Sequence, residues 1–149
     1  MSFARLIAGR CLIVCGVAAA LLLALGAGPG RAADPFPFDQ ELLLDVTPMP
    51  PVKRVPILSV SQSGNATIDL WCKTVTGRVT FTASDIHIEP GPLPDALPQY
   101  MSDGQCTPER MQADWDLLAA LAQVTAWRQQ GRLIVLVGPT PLKFRPSDH

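Results

Sequence analysis

From Ile57 to Glu89 apolar and polar positions alternate with a period of two, the pattern of strands that bury one face. Ile57 to Val60 is a short apolar, β-branched run, and Ser61-Gln62-Ser63-Gly64-Asn65 is a turn cluster. From Thr67 to Cys72, Ile68, Leu70 and Cys72 share one face and Thr67, Asp69 and Trp71 the other. Thr76-Gly77 is a second turn signal. Arg78 to Thr82 alternates again, with Val79 and Phe81 facing inward, and after Ala83-Ser84-Asp85 the residues Ile86 and Ile88 face inward while His87 and Glu89 face out. One polar face on each strand predicts antiparallel sheet with one wet side.

The period then changes. Residues 90–105 hold four prolines and two glycines and read as a long loop. A helix is expected from Thr107 as N-cap, with Pro108 at its first position and Glu109 near the positive end of its dipole. Up to Gln123 the residues Met111, Trp115, Leu118 and Ala122 step by four, three and four, and Leu117 and Leu121 widen the stripe. That places Trp115 in the core and leaves Arg110, Gln112, Asp116 and Gln123 for the polar side. A hairpin follows, Val124 to Arg128 and Arg132 to Val137 about Gln129-Gln130-Gly131, then a short strand at Leu142-Lys143-Phe144. Strands, one helix and more strands predict an α+β fold on an antiparallel sheet.

The N-terminal third has a different texture. Cys11 to Ala27 is a charge-free apolar block, preceded by Arg5 and Arg10 and followed by Gly28-Pro29-Gly30-Arg31-Ala32-Ala33. This is the order of a secretory signal peptide, with cleavage expected after Ala32, and the block is short for a membrane span. The expected organisation is a signal at 1–32, a proline-rich lead-in at 33–56, and a domain at 57–146. Leu42, Leu43 and Leu44 interrupt the lead-in as a short strand or a segment tucked on the core. The mature chain is expected in the periplasm or secreted, with no stable membrane insertion after cleavage. It keeps nine of the twelve basic residues and all thirteen acidic ones, a charge of about −4. That gives no basic face for nucleic acid.

Cys11 and Cys15 leave with the signal, while Cys72 and Cys106 stay. In an oxidising compartment this pair is expected to form a disulfide, closing a loop worth on the order of 4 kcal/mol in the chain-entropy model; two buried free thiols are the alternative. A metal site is disfavoured, since only His87 and His149 accompany the cysteines and neither has ligand spacing. No catalytic constellation and no cofactor fingerprint is present: His87 falls on a polar strand face, and Asp114 and Asp116 cannot share one helix face. Asn65-Ala66-Thr67 fits a glycosylation sequon and reads as part of a turn. Trp71 and Trp127 stand opposite their strands' smaller apolar residues and form the candidate binding surface.

Cys106-Thr107-Pro108, Met111, Leu117-Leu118-Ala119-Ala120-Leu121, Val124, Trp127, Gly131-Arg132-Leu133, Leu136 and Leu142-Lys143-Phe144 together resemble the META domain family of HslJ-like heat-shock proteins. Upstream, Trp71-Cys72-Lys73-Thr74-Val75-Thr76-Gly77 keeps the cysteine and last glycine of a family segment without its first glycine, asparagine and aromatic, and Gly91-Pro92-Leu93 is similar to another. The resemblance spans roughly residues 64–145. It implies a helix packed on a curved antiparallel sheet, a roll or partial barrel, and it supports pairing of Cys72 with Cys106. It also implies a non-enzymatic envelope stress or accessory protein that binds an unidentified protein or envelope component. The alternative is a small secreted enzyme or enzyme inhibitor.

Overall fold

The computed structural model describes residues 35–82 and 85–148. The expected signal at 1–32, with Cys11 and Cys15, lies outside the described residues, as does His149. Eight antiparallel strands, β1 (Glu41–Leu44), β2 (Ile57–Val60), β3 (Asn65–Asp69), β4 (Thr74–Thr82), β5 (Asp85–Pro90), β6 (Ala126–Gln130), β7 (Leu133–Val137) and β8 (Leu142–Pro146), pair in sequence order. β1 and β8 also pair, which closes the sheet into a barrel. Two helices, α1 (Pro98–Ser102) and α2 (Pro108–Leu121), lie between β5 and β6. The fold is therefore α+β on a curved antiparallel sheet, as expected, with the curvature carried through to closure.

The alternation explains why these strands form and how they register. Leu42, Leu58, Ile68 and Val75 are opposite one another across β1 to β4, all at most 2% exposed. Leu44, Phe144 and Ile134 make a similar row across β1, β8 and β7. Because a one-residue slip would turn every such side chain outward, the rows lock the register. β7 breaks the alternation, since Ile134, Val135 and Leu136 are all buried. Arg128 and Lys143 are the cross-strand neighbours of Val135 on either side, and their aliphatic stems suit that role.

The proline-rich stretch is less of a lead-in than its composition suggests. Its three leucines supply β1, which pairs with both β2 and β8, so the barrel begins well before residue 57. Phe36 is buried and packs against Phe38, Phe81 and Trp127 with ring centroids 4.9–5.3 Å apart. Closure explains the recruitment: a sheet from β2 to β8 would leave two open edges, which β1 removes.

Helix α2 begins as expected, with the Thr107 hydroxyl accepting from the Arg110 amide at 3.3 Å. Its rotation differs from expectation. The buried stripe is Arg110, Asp114, Leu117, Leu118 and Leu121, and Trp115 is 59% exposed. The three leucines join the barrel core, and α2 packs against β5. That contact lies near the thinnest seam, where β5 meets β6 through the single pair Asp85–Ala126 and the Ile86 amide donates to the Thr125 carbonyl at 3.2 Å. Leu117 and Leu121 out-compete Trp115 because a stripe centred on them lets two polar residues one and two turns earlier reach backbone groups of the barrel. Helix α1 occupies part of the expected loop and buries no side chain.

Candidate functional site

The site is built around the turn between β3 and β4. β3 ends at Asp69, the Leu70 amide donates to the Lys73 carbonyl at 2.7 Å, and the chain returns as β4 from Thr74. The peptide joining Trp71 to Cys72 sits at the tip, and α2 grips both of its polar groups. One Arg110 nitrogen, Nη2, donates to the Trp71 carbonyl at 2.6 Å. The Cys72 amide donates to both Asp114 carboxylate oxygens at 3.3 Å, and the Trp71 amide donates to Oδ1 at 2.9 Å. Arg110 Nη1 also donates to the Gln105 carbonyl at 2.7 Å, tying the turn to the segment before α2.

Arg110 and Asp114 are 1% and 0% exposed. Buried charges persist where they are paired and hydrogen-bonded. Here the two lie one helical turn apart with opposite signs and share a peptide between them. Burial pushes the Asp114 carboxyl up from its ordinary value, and the Cys72 and Trp71 amides, Lys73 and Arg110 pull the other way. Arg110 Nε is buried without an acceptor among the described residues. The apolar periodicity along α2 places Arg110 on the polar side and gives Asp114 no role. The signal for both was present in their four-residue spacing ahead of Leu117 and Leu121.

Between this turn and α1 lies a cleft of about 410 Å³. Trp71, Cys72 and Lys73 line it from the turn, Leu97 and Tyr100 from the α1 segment. Arg54 flanks the turn, donating to the Leu70 carbonyl at 3.2 Å and standing 3.8 Å from Asp69. Leu97 and Tyr100 are 52% and 38% exposed, so the α1 side presents apolar surface to solvent. The cleft therefore mixes aromatic and aliphatic side chains with the charged groups Arg54, Lys73 and Asp95, and its lining is more polar than apolar.

Cys72 and Cys106 both line the cleft, and both are free thiols, so the bond expected between them is not formed in this structure. Each sulfur reaches the backbone beside the other: Cys72 Sγ is 3.9 Å from the Gln105 carbonyl and Cys106 Sγ is 3.7 Å from the Cys72 carbonyl. Burial first, then a hydrogen bond with Cys106 and the charge of Asp114, pushes the Cys72 thiol up to about 12. The fold thus brings together two residues 34 positions apart.

The two tryptophans of the expected binding surface are separated. Trp71 lines the cleft, whereas Trp127 belongs to the aromatic group around Phe36, edge-on to it at 88°. Both are partly buried against the core, and both indole N–H groups are buried without an acceptor among the described residues. His87 stays on the outer face of β5, its Nε2 3.5 Å from Glu89, and lines a shallow groove with Thr80 and Thr125. Among the described residues no helix is long and apolar enough to cross a membrane. Comparison with protein-family models, with curated proteins and with solved structures returned no match.

Proposed function

We propose that this chain is an exported, non-enzymatic binding domain of the META type, acting in the cell envelope on a protein or envelope component through the cleft at Trp71. The observation that carries the reading is the grip of two buried charges, Arg110 and Asp114, on the single peptide between Trp71 and Cys72. Buried ions are a costly way to hold a turn. Their use here supports a need for that wall of the cleft to keep one shape, and a preformed wall lowers the cost of binding. The curved antiparallel sheet with a packed helix agrees with the architecture that the family resemblance implies. The placement of His87 on the outer face of β5, away from both cysteines of the cleft, favours recognition over nucleophilic catalysis there.

The test is site-specific photocrosslinking in living cells with the full chain. A benzophenone amino acid replaces Tyr100 in the cleft or, as a control, Thr80 on the barrel wall. A discrete adduct from position 100 and none from position 80 is the expected outcome. Adducts from position 80 alone would place recognition elsewhere and remove the reading. N-terminal sequencing of the exported protein is expected to begin near Ala33, and a form that starts at Met1 outside the cytoplasm would contradict the signal.

A further inference from the structure

The α1 side of the cleft is weakly attached. From Leu97 to Cys106 the backbone hydrogen bonds outside α1 are internal to the segment: Gln105 and Cys106 both donate to the Tyr100 carbonyl, and Gly104 donates to Met101. α1 itself buries nothing. Among the described residues, the polar ties from this arm to the barrel are the Arg110 bond to the Gln105 carbonyl and the two reciprocal cysteine contacts. Cys72 belongs to the turn that forms one wall, and Cys106 stands where the arm joins α2. A covalent bond between them would join wall to arm.

We propose that Cys72 and Cys106 form a disulfide that latches the α1 arm over the cleft, and that the cleft holds its partner only in this latched state. The second half rests on the binding reading above. The chemistry is thiol–disulfide exchange with an exogenous disulfide, a small-molecule or protein oxidant of the compartment. One cysteine thiolate attacks a sulfur of that disulfide, forms a mixed disulfide and releases the first thiol. The second cysteine, as thiolate, attacks the mixed disulfide at the protein sulfur and expels the second thiol. Two protein thiols are oxidised, one exogenous disulfide is reduced to two thiols, and the protons lost by the cysteines are taken up by the leaving thiolates. Since both sulfurs lie at the cleft and outside the apolar core cluster, reduction should free the arm without opening the barrel.

Three measurements on the mature chain test this. Thiol labelling of the unreduced, denatured protein is expected to find no free thiol, and two labelled thiols in exported protein would overturn the latch. Hydrogen exchange is expected to quicken at least tenfold at 98–105 when the protein is reduced, or in the double variant Cys72→Ser/Cys106→Ser, while β2, β3 and β7 amides keep their protection. Unchanged exchange in the arm overturns the latch, and so does loss of protection throughout the strands, which would mark a bond that holds the whole domain. Photocrosslinking from position 100 is expected to fall at least fivefold in the double-serine variant. A strong adduct that is indifferent to the serines overturns the coupling. Failure of any adduct from position 100 in the wild-type chain sinks the binding reading and with it the coupling, while the bond and the arm's exchange are still decided by the first two measurements.

Discussion

At the scale of single residues, Arg110 and Asp114 carry the heaviest consequences. Asp114→Ala leaves the Trp71 and Cys72 amides without their acceptor. Loss of hydrogen bonds to a buried charged group costs about 1.5–3 kcal/mol. Asp114→Asn keeps one acceptor oxygen and removes a charge that burial disfavours, so it should lose clearly less. Urea unfolding of both variants checks the order, and equal losses would refute the account. Arg110→Met strands the Trp71 and Gln105 carbonyls and is expected to cost about 3 kcal/mol on the same grounds.

Cys72 makes a pH prediction for the reduced protein. Its thiol is raised in the folded state from 9.0 to about 12, so the folded chain holds this proton more tightly than the unfolded chain does. The associated stability is complete below about pH 9 and is lost as pH rises toward 12. Thermal unfolding between pH 7.5 and 10.5 should show a steeper alkaline fall for the reduced wild type than for Cys72→Ser. Matching slopes would show that the thiol is not held as described.

At the scale of elements, α2 and the turns define what can change. Leu121 is fully buried where α2 meets the barrel, and Leu121→Ala should cost about 2–5 kcal/mol. Trp115→Ala, on the exposed face, should lie within about 0.5 kcal/mol of wild type. The pair is a direct check on the helix's rotation, because the sequence-based expectation ranks Trp115 as a core residue. Two glycines are constrained for different reasons. Gly64 has φ +79° in the β2–β3 turn, with the Val79 carbonyl oxygen 2.5 Å from where a Cβ would stand. Gly77 lies in β4, where a Cβ would come within 2.7 Å of the Glu89 carbonyl oxygen of β5. Gly77→Ala should therefore disturb the β4–β5 pairing rather than a turn, readable as faster exchange at His87 and Glu89 with β7 unchanged.

Over the whole molecule, closure depends on β1. Truncation to residue 57, the boundary that composition suggests, would remove β1 and the Phe36 ring and expose the edges of β2 and β8. Exposed edges invite pairing with other chains. The shortened chain is expected to aggregate or to lose cooperative unfolding, whereas a chain beginning at Ala33 should stay monomeric in sedimentation and unfold in one transition.

The strands β2 and β5, the capped start of α2 and the antiparallel class were legible because each depends on neighbours in sequence: a period of two and a Thr-Pro pair. The turn between β3 and β4 was not: it falls at residues 70–73, within the strand expected over Thr67 to Cys72, and the expected turn at Thr76-Gly77 lies inside β4. Which face of α2 enters the core was not legible. Its residues offer two overlapping stripes, and the choice was decided by the Trp71–Cys72 peptide, which lies some forty residues earlier and becomes a partner only once the barrel forms. The same holds for the use of Leu42 and Leu44, whose burial requires β2 and β8 on either side. The chain's local pattern determines which segments extend and which coil. Long-range contact alone decides where a buried charge finds its partner, because the desolvation that makes such a charge costly does not exist until the core has closed around it.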